Sequence, residues 1–185
     1  MFSAYLKALA NEFRNLGIAF EKGLTDSELS NREREFGFEF PPDLKLLLQS
    51  FLPVEEEFPN WRSGPDKKLR DWFDWPFRGM CFDIENNTFW LPEWGARPEN
   101  LGEAFEIARQ AVAEAPRLIP VFSHRYIPDR PAGSGNPVLS VYQTDIIYYG
   151  FDLPSYFNRE FGISEPLWAA KDPLRVPFWS DIIDR

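Results

Sequence analysis

A chain of 185 residues with 44% hydrophobic and 26% charged content has the length and apolar fraction to bury its own core without disulfides or metals. Its 20 Lys and Arg against 29 Asp and Glu leave a formal charge of −9, which repels phosphate backbones and argues against nucleic acid as a direct partner. The single cysteine, Cys81, excludes an internal disulfide, and no run approaches the roughly 18 apolar residues that a membrane span needs.

Met1 to Lys7 begin an amphipathic helix and lack an apolar signal core, so the chain is expected to stay in the reducing cytosol, away from membranes. Phe2, Leu6, Leu9, Phe13 and Leu16 recur at helical spacing until Gly17 stops the run. After the short apolar stretch Ile18 to Phe20, Thr25 and Glu28 have the S/T-x-x-E spacing of a capping box. In that motif each side chain satisfies the other's backbone amide, and Leu24 can staple to Leu29 across the cap. The helix it opens should end near Gly37, since glycine adopts the left-handed closing conformation without a Cβ clash. Pro41-Pro42-Asp43 starts another helix, with Leu44, Leu47, Leu48 and Phe51 on one face. A polar stretch containing Glu55-Glu56-Glu57 follows. Leu69, Trp72 and Phe73 then predict a short helix that stops before Pro76.

From about residue 79 the period changes to two. Met80, Phe82 and Ile84 alternate with Cys81, Asp83 and Glu85, and Asn86-Asn87 can turn the chain into Thr88 to Leu91, which predicts a hairpin. A helix bearing Leu101, Phe105, Ala108, Val112 and Ala115 interrupts the strands. They resume at Leu118 to Tyr126, Pro137 to Gln143 and Ile146 to Tyr149, with Pro120 delaying the first or placing it at an edge. Asp152 can cap a final helix carrying Leu153, Tyr156, Phe157 and Phe161. Helices first and hairpins later predict a single α+β domain over residues 1–185, its N-terminal helices packed on one side of a largely antiparallel sheet.

Signatures of catalysis or of cofactors are sparse. Gly133-Ser134-Gly135 has the composition of a phosphate loop, but Pro137 and a strand follow where a helix N-terminus should donate its amides, so it reads as a turn. His124 is the only histidine, and with Ser140 and Asp145 it would make a hydrolytic triad only if the fold joined them. No G-x-S-x-G elbow accompanies it. One His and one Cys do not build a zinc site. Asp83 and Glu85, on one face of the predicted strand, suit a solvated surface better than a hard cation. The expectation is therefore no catalytic residue, no cofactor and no metal. Trp61, Trp72 and Trp75 surround the acidic stretch, and Trp90 and Trp94 follow the predicted hairpin. Core packing accounts for most tryptophans, and such rings are also the anchors of protein interfaces.

Several segments, in order, resemble a known family. They are Gly23-Leu24-Thr25-Asp26-Ser27-Glu28-Leu29, Phe36 to Leu44, Phe82-Asp83-Ile84-Glu85-Asn86, Phe89-Trp90, Trp94-Gly95, Ile119-Pro120-Val121, His124-Arg125-Tyr126, Gly135-Asn136-Pro137-Val138, Ser140-Val141, Gln143, Asp145-Ile146-Ile147 and Tyr149-Gly150. Together they resemble the SUKH superfamily, the Smi/Knr-like proteins, over roughly residues 17–160. The resemblance implies an α+β fold without an active site and, for the bacterial type, an immunity protein that neutralises a toxin, many of them nucleases, by direct binding. The residues expected at such a partner surface are Glu55, Glu56, Glu57, Trp61, Asp83, Glu85, Trp94, His124, Arg125, Tyr126 and Asp145. Those on strands either satisfy buried groups or line a cleft. Two other readings stay open: a regulatory or scaffold domain for an endogenous protein of the cell wall or of signalling, and a hydrolase using His124.

Overall fold

The N-terminal helices form where their punctuation stands. In a computed structural model describing Met1–Arg185, α1 (Phe2–Asn15) buries Tyr5, Leu6, Leu9 and Phe13. α2 (Asp26–Phe36) starts on the reciprocal box, with Glu28 N donating to Thr25 Oγ1 at 3.2 Å and Thr25 N donating to Glu28 Oε2 at 2.7 Å. It closes on Gly37 at φ 69°. α3 (Pro42–Ser50) follows, and two short strands, β1 (Phe20–Lys22) and β2 (Phe51–Pro53), pair antiparallel beside it.

The next element departs from expectation. α4 (Asp66–Asn86) is 21 residues long, runs through Pro76, and occupies the first strand of the predicted hairpin. Proline has no N–H, so the Trp72 carbonyl four residues back loses its helical donor. The Tyr126 hydroxyl, reaching from the sheet, donates to that carbonyl at 2.9 Å instead. Met80 and Ile84 lie four apart, a spacing that suits a helical stripe as well as a strand face. Phe82 decides between them: it is 48% exposed, whereas Met80, Asp83 and Ile84 are buried. Residues 87–91 form no strand, and a 3₁₀ turn at Pro92–Trp94 leads to α5 (Leu101–Glu114), capped by Asn100.

The main sheet comprises β3 (Leu118–Phe122), β4 (Arg125–Pro128), β5 (Val138–Tyr142) and β6 (Asp145–Gly150), antiparallel throughout in the order β3-β4-β5-β6. The strand predicted from Leu118 to Tyr126 is thus two strands, because the chain reverses at Ser123, where φ is 48°. Pro120 sits in the edge strand β3, where a missing donor is tolerated. Asp152 Oδ1 accepts from Ser155 N at 2.9 Å to start α6 (Leu153–Phe161). One more helix, α7 (Trp179–Ile183), lies beyond it.

Alternation along the strands divides the core. Ile119, Val121, Ile127 and Val138 join the side chains of α1, α2, α3 and α6 in one cluster. Leu118, Tyr126, Leu139, Val141 and Ile146 join α4, α5 and α7 in another. The α+β class is as predicted, but helices cover both faces of the sheet instead of one. The second layer was hidden because its main element, α4, reads partly as strand.

Candidate functional site

Four segments distant in sequence meet at one end of the sheet: the Glu55 to Glu57 turn after β2, the first half of α4, and the tips of the β3–β4 and β5–β6 hairpins. Backbone bonds fix the first to the third, since Ser123 N donates to Glu57 O at 2.7 Å. Glu55 Oε1 accepts from Ala19 N at 2.9 Å and holds the turn against β1. On the other side, α4 is pinned to the β5–β6 tip by Asp83. Its Oδ2 accepts from Thr144 N at 2.8 Å and Thr144 Oγ1 at 2.5 Å, and its Oδ1 accepts from Asn87 Nδ2 at 2.6 Å. Close approach is possible because Gly79 faces this turn; a Cβ there would lie 2.7 Å from Gln143 Cα.

Between these segments lies an open cleft of about 540 Å³. Its aromatic side consists of Trp72 and Trp75 from α4 and Tyr142 from β5, with Trp75 38% and Tyr142 57% exposed. Trp75 Nε1 donates to Val141 O at 3.0 Å, which holds the indole in place with its ring centroid 6.4 Å from that of Tyr142. Glu56 and Glu57 form an acidic lip of the same cleft. Lys68 already places a cation here: its Nζ lies 5.0 Å from the Trp72 ring centroid and donates to Glu56 O at 2.6 Å. An acidic lip in one cleft with exposed aromatic rings attracts ammonium and guanidinium groups by both charge and ring quadrupole.

His124 also lines the cleft. Burial, and then the neighbouring Arg125 charge, hold its pKa below the ordinary 6.5, so the imidazole is neutral at pH 7. Its Nε2 contacts Arg125 Nη1, and its Nδ1 lies 3.3 Å from Ser123 Oγ. Ser140 Oγ accepts from Arg125 at 3.0 Å, and Asp145 stands exposed at the start of β6, so His124, Ser140 and Asp145 are not joined as a triad. Arg125 itself is a node beneath the cleft, bound to Glu160 at 2.9 Å and stacked 3.8 Å from the Tyr149 centroid.

The structure therefore brings Glu56, Glu57 and His124 to one cleft, with Glu55 at its shoulder and Asp145 paired opposite Tyr142 at the hairpin tip. Others change role. Trp61 is 1% exposed, packed with ring centroids 5.1 Å from Phe40 and 5.9 Å from Phe38, so it is a core residue and not an anchor. Asp83 and Tyr126 are buried and structural, holding α4 to the sheet as described. Glu85 is exposed on α4, not on a strand. Trp94 packs edge-on against Trp90 at 5.0 Å and borders a different groove beside Phe178. Trp75, Tyr142, Lys68 and Ser123 were not singled out as site residues. Tyr142 carried a signal, as the outward position of an alternating strand. No group of three or more His, Cys, Asp or Glu side chains is placed to hold a metal ion, and no helix is long and apolar enough to cross a membrane. Comparison with models of known families, with curated proteins and with solved structures found no match to this chain.

Proposed function

We propose that this chain is a non-enzymatic binding protein of the SUKH immunity type, acting in the cytoplasm, which neutralises a cognate toxin domain by direct contact through the cleft between α4 and the hairpin tips. The observation that carries the reading is the union of two exposed aromatic rings, Trp75 and Tyr142, with the Glu56 and Glu57 lip in one preorganised cleft. Rigid aromatic anchors supply most of the energy of a protein interface, and rim carboxylates steer a basic partner toward it. A basic nuclease domain has that complementary charge. The ordered family-like segments between residues 17 and 160 add support.

The test is a pull-down with the whole chain at low salt, followed by mass spectrometry, with a parallel arm for any toxin domain encoded beside the gene. Capture of that domain is expected. If a resident cell-wall or signalling protein binds instead and the toxin domain does not, the regulatory reading replaces the immunity reading.

A further inference from the structure

We propose that a second groove, between α4 and α5 and sharing no residue with the cleft, binds a small organic oxyanion with a flat apolar body. The groove measures about 330 Å³, within the size range of small-molecule sites. Phe73 and Phe77 of α4 and Leu118 of β3 supply apolar surface. Around them stand three arginines from three separate segments: Arg109 on α5, Arg117 in the turn before β3, and Arg130 after β4. In a chain of net charge −9, three guanidiniums against two carboxylates, Asp74 and Asp129, leave this groove net positive, opposite to the average surface and favourable to a bound anion.

Two of the guanidiniums are positioned but under-used. Arg109 Cζ lies 4.4 Å from the Phe77 centroid and Arg117 Cζ 4.9 Å from the Phe73 centroid, so the rings orient the cations without using their N–H groups. The Arg117 guanidinium has no hydrogen-bond acceptor within the protein. Arg109 has only a 3.4 Å pair with Glu106 in which both side chains are more than half exposed, an arrangement of little energetic weight. Arg130 is fixed, with Nη2 donating to Glu114 O at 3.1 Å and Ala115 O at 2.6 Å. Of the two carboxylates in the groove, Asp129 accepts from Arg117 N at 2.8 Å and Arg130 Nε at 3.4 Å, whereas Asp74 forms no ion pair. Guanidinium forks match carboxylate and phosphate oxygens, and the phenyl rings suit an aromatic or other flat body.

Titration of the whole chain with phenyl phosphate and with benzoate, followed by calorimetry and by the arginine Nε–Hε NMR resonances, tests the proposal. Saturable binding with shifts at Arg109, Arg117 and Arg130 is expected, and the tighter probe identifies the oxyanion. Inorganic phosphate and phenol, each half of a ligand, should bind at least about tenfold more weakly. Arg117→Gln should weaken the better probe about tenfold, the effect of one charge-assisted hydrogen bond. Asp74→Asn, on an exposed helix position, should tighten it by removing a like charge. Absence of saturable shifts with either probe overturns the proposal, as does unchanged affinity in Arg117→Gln with an unaltered melting temperature. Unchanged or weaker binding in Asp74→Asn does the same.

Discussion

Tyr126→Phe tests whether the sheet supplies the hydrogen bond that Pro76 removes from α4. Tyr126 is fully buried, and burial pushes its phenol well above the ordinary tyrosine range, so the hydroxyl remains a donor at working pH. Phenylalanine keeps the ring and its packing and deletes only the 2.9 Å bond to Trp72 O. That carbonyl, part-buried, then has neither Tyr126 nor a helical N–H; losing the bond costs about 1 kcal/mol, rising to about 3 kcal/mol where water does not replace the donor. For a domain of this size the melting temperature should fall roughly 2–4 °C for each kcal/mol. Urea unfolding followed by far-UV circular dichroism gives the energy directly. The decisive comparison uses a Pro76→Ala background, where an alanine N–H can serve Trp72 O. There Tyr126→Phe should cost at least about 1 kcal/mol less, a coupling of the size found for groups sharing a partner. Equal costs in the two backgrounds would refute the explanation of why the helix survives its proline.

Other consequences are measurable. Trp61→Ala should lose about 3–5 kcal/mol of unfolding free energy, as expected when a large buried ring leaves a cavity; a change within about 0.5 kcal/mol would return Trp61 to the surface. A hydrogen bond from Arg62, then those from Thr25, lower the Glu28 carboxyl from 4.5 to about 2. The folded state therefore binds fewer protons than the unfolded chain, and Glu28 adds stability above pH 4.5 that is lost as the pH falls toward about 2. Glu28→Gln keeps a capping acceptor and should flatten that part of the stability profile, whereas an unchanged slope would contradict the assignment. NMR titration of His124 should give a midpoint below 6.5 that rises in Arg125→Gln, because Arg125 is one cause of the lowering. In a broad hydrolase screen, turnover that His124→Asn abolishes in a folded protein would restore the hydrolase reading.

Local chemistry made the helical half readable. The Thr25 and Glu28 box, the Gly37 stop, the Pro42 start and the Asp152 cap are each decided within one turn of chain, where sequence and structure share the same neighbours. The start of α4 was readable from Leu69, Trp72 and Phe73, but residues 76–91 were not, since the helix continues past Pro76 with the help of a hydroxyl 50 residues later and Met80 and Ile84 satisfy both periodicities. The cleft was legible only in part for the same reason. Glu56, Glu57 and His124 advertise themselves by charge or rarity. The exposed rings that share the cleft with them are Trp75 and Tyr142, and the exposure of Trp75, against the burial of Trp61, follows from where α4 docks through Asp83 and Gly79.

The central claim is that the α4 cleft binds a basic protein partner through Trp75 and its acidic lip. Surface plasmon resonance of the whole chain against the toxin domain that the pull-down captures, at several salt concentrations, measures it most directly. Trp75→Ala should weaken binding about 30-fold, the equivalent of a hot spot worth about 2 kcal/mol, chiefly through faster dissociation. Glu56→Gln with Glu57→Gln should slow association and flatten its salt dependence, because steering weakens as the Debye length shrinks. Binding that is indifferent to all three substitutions in folded protein would contradict the account, as would no binding at all.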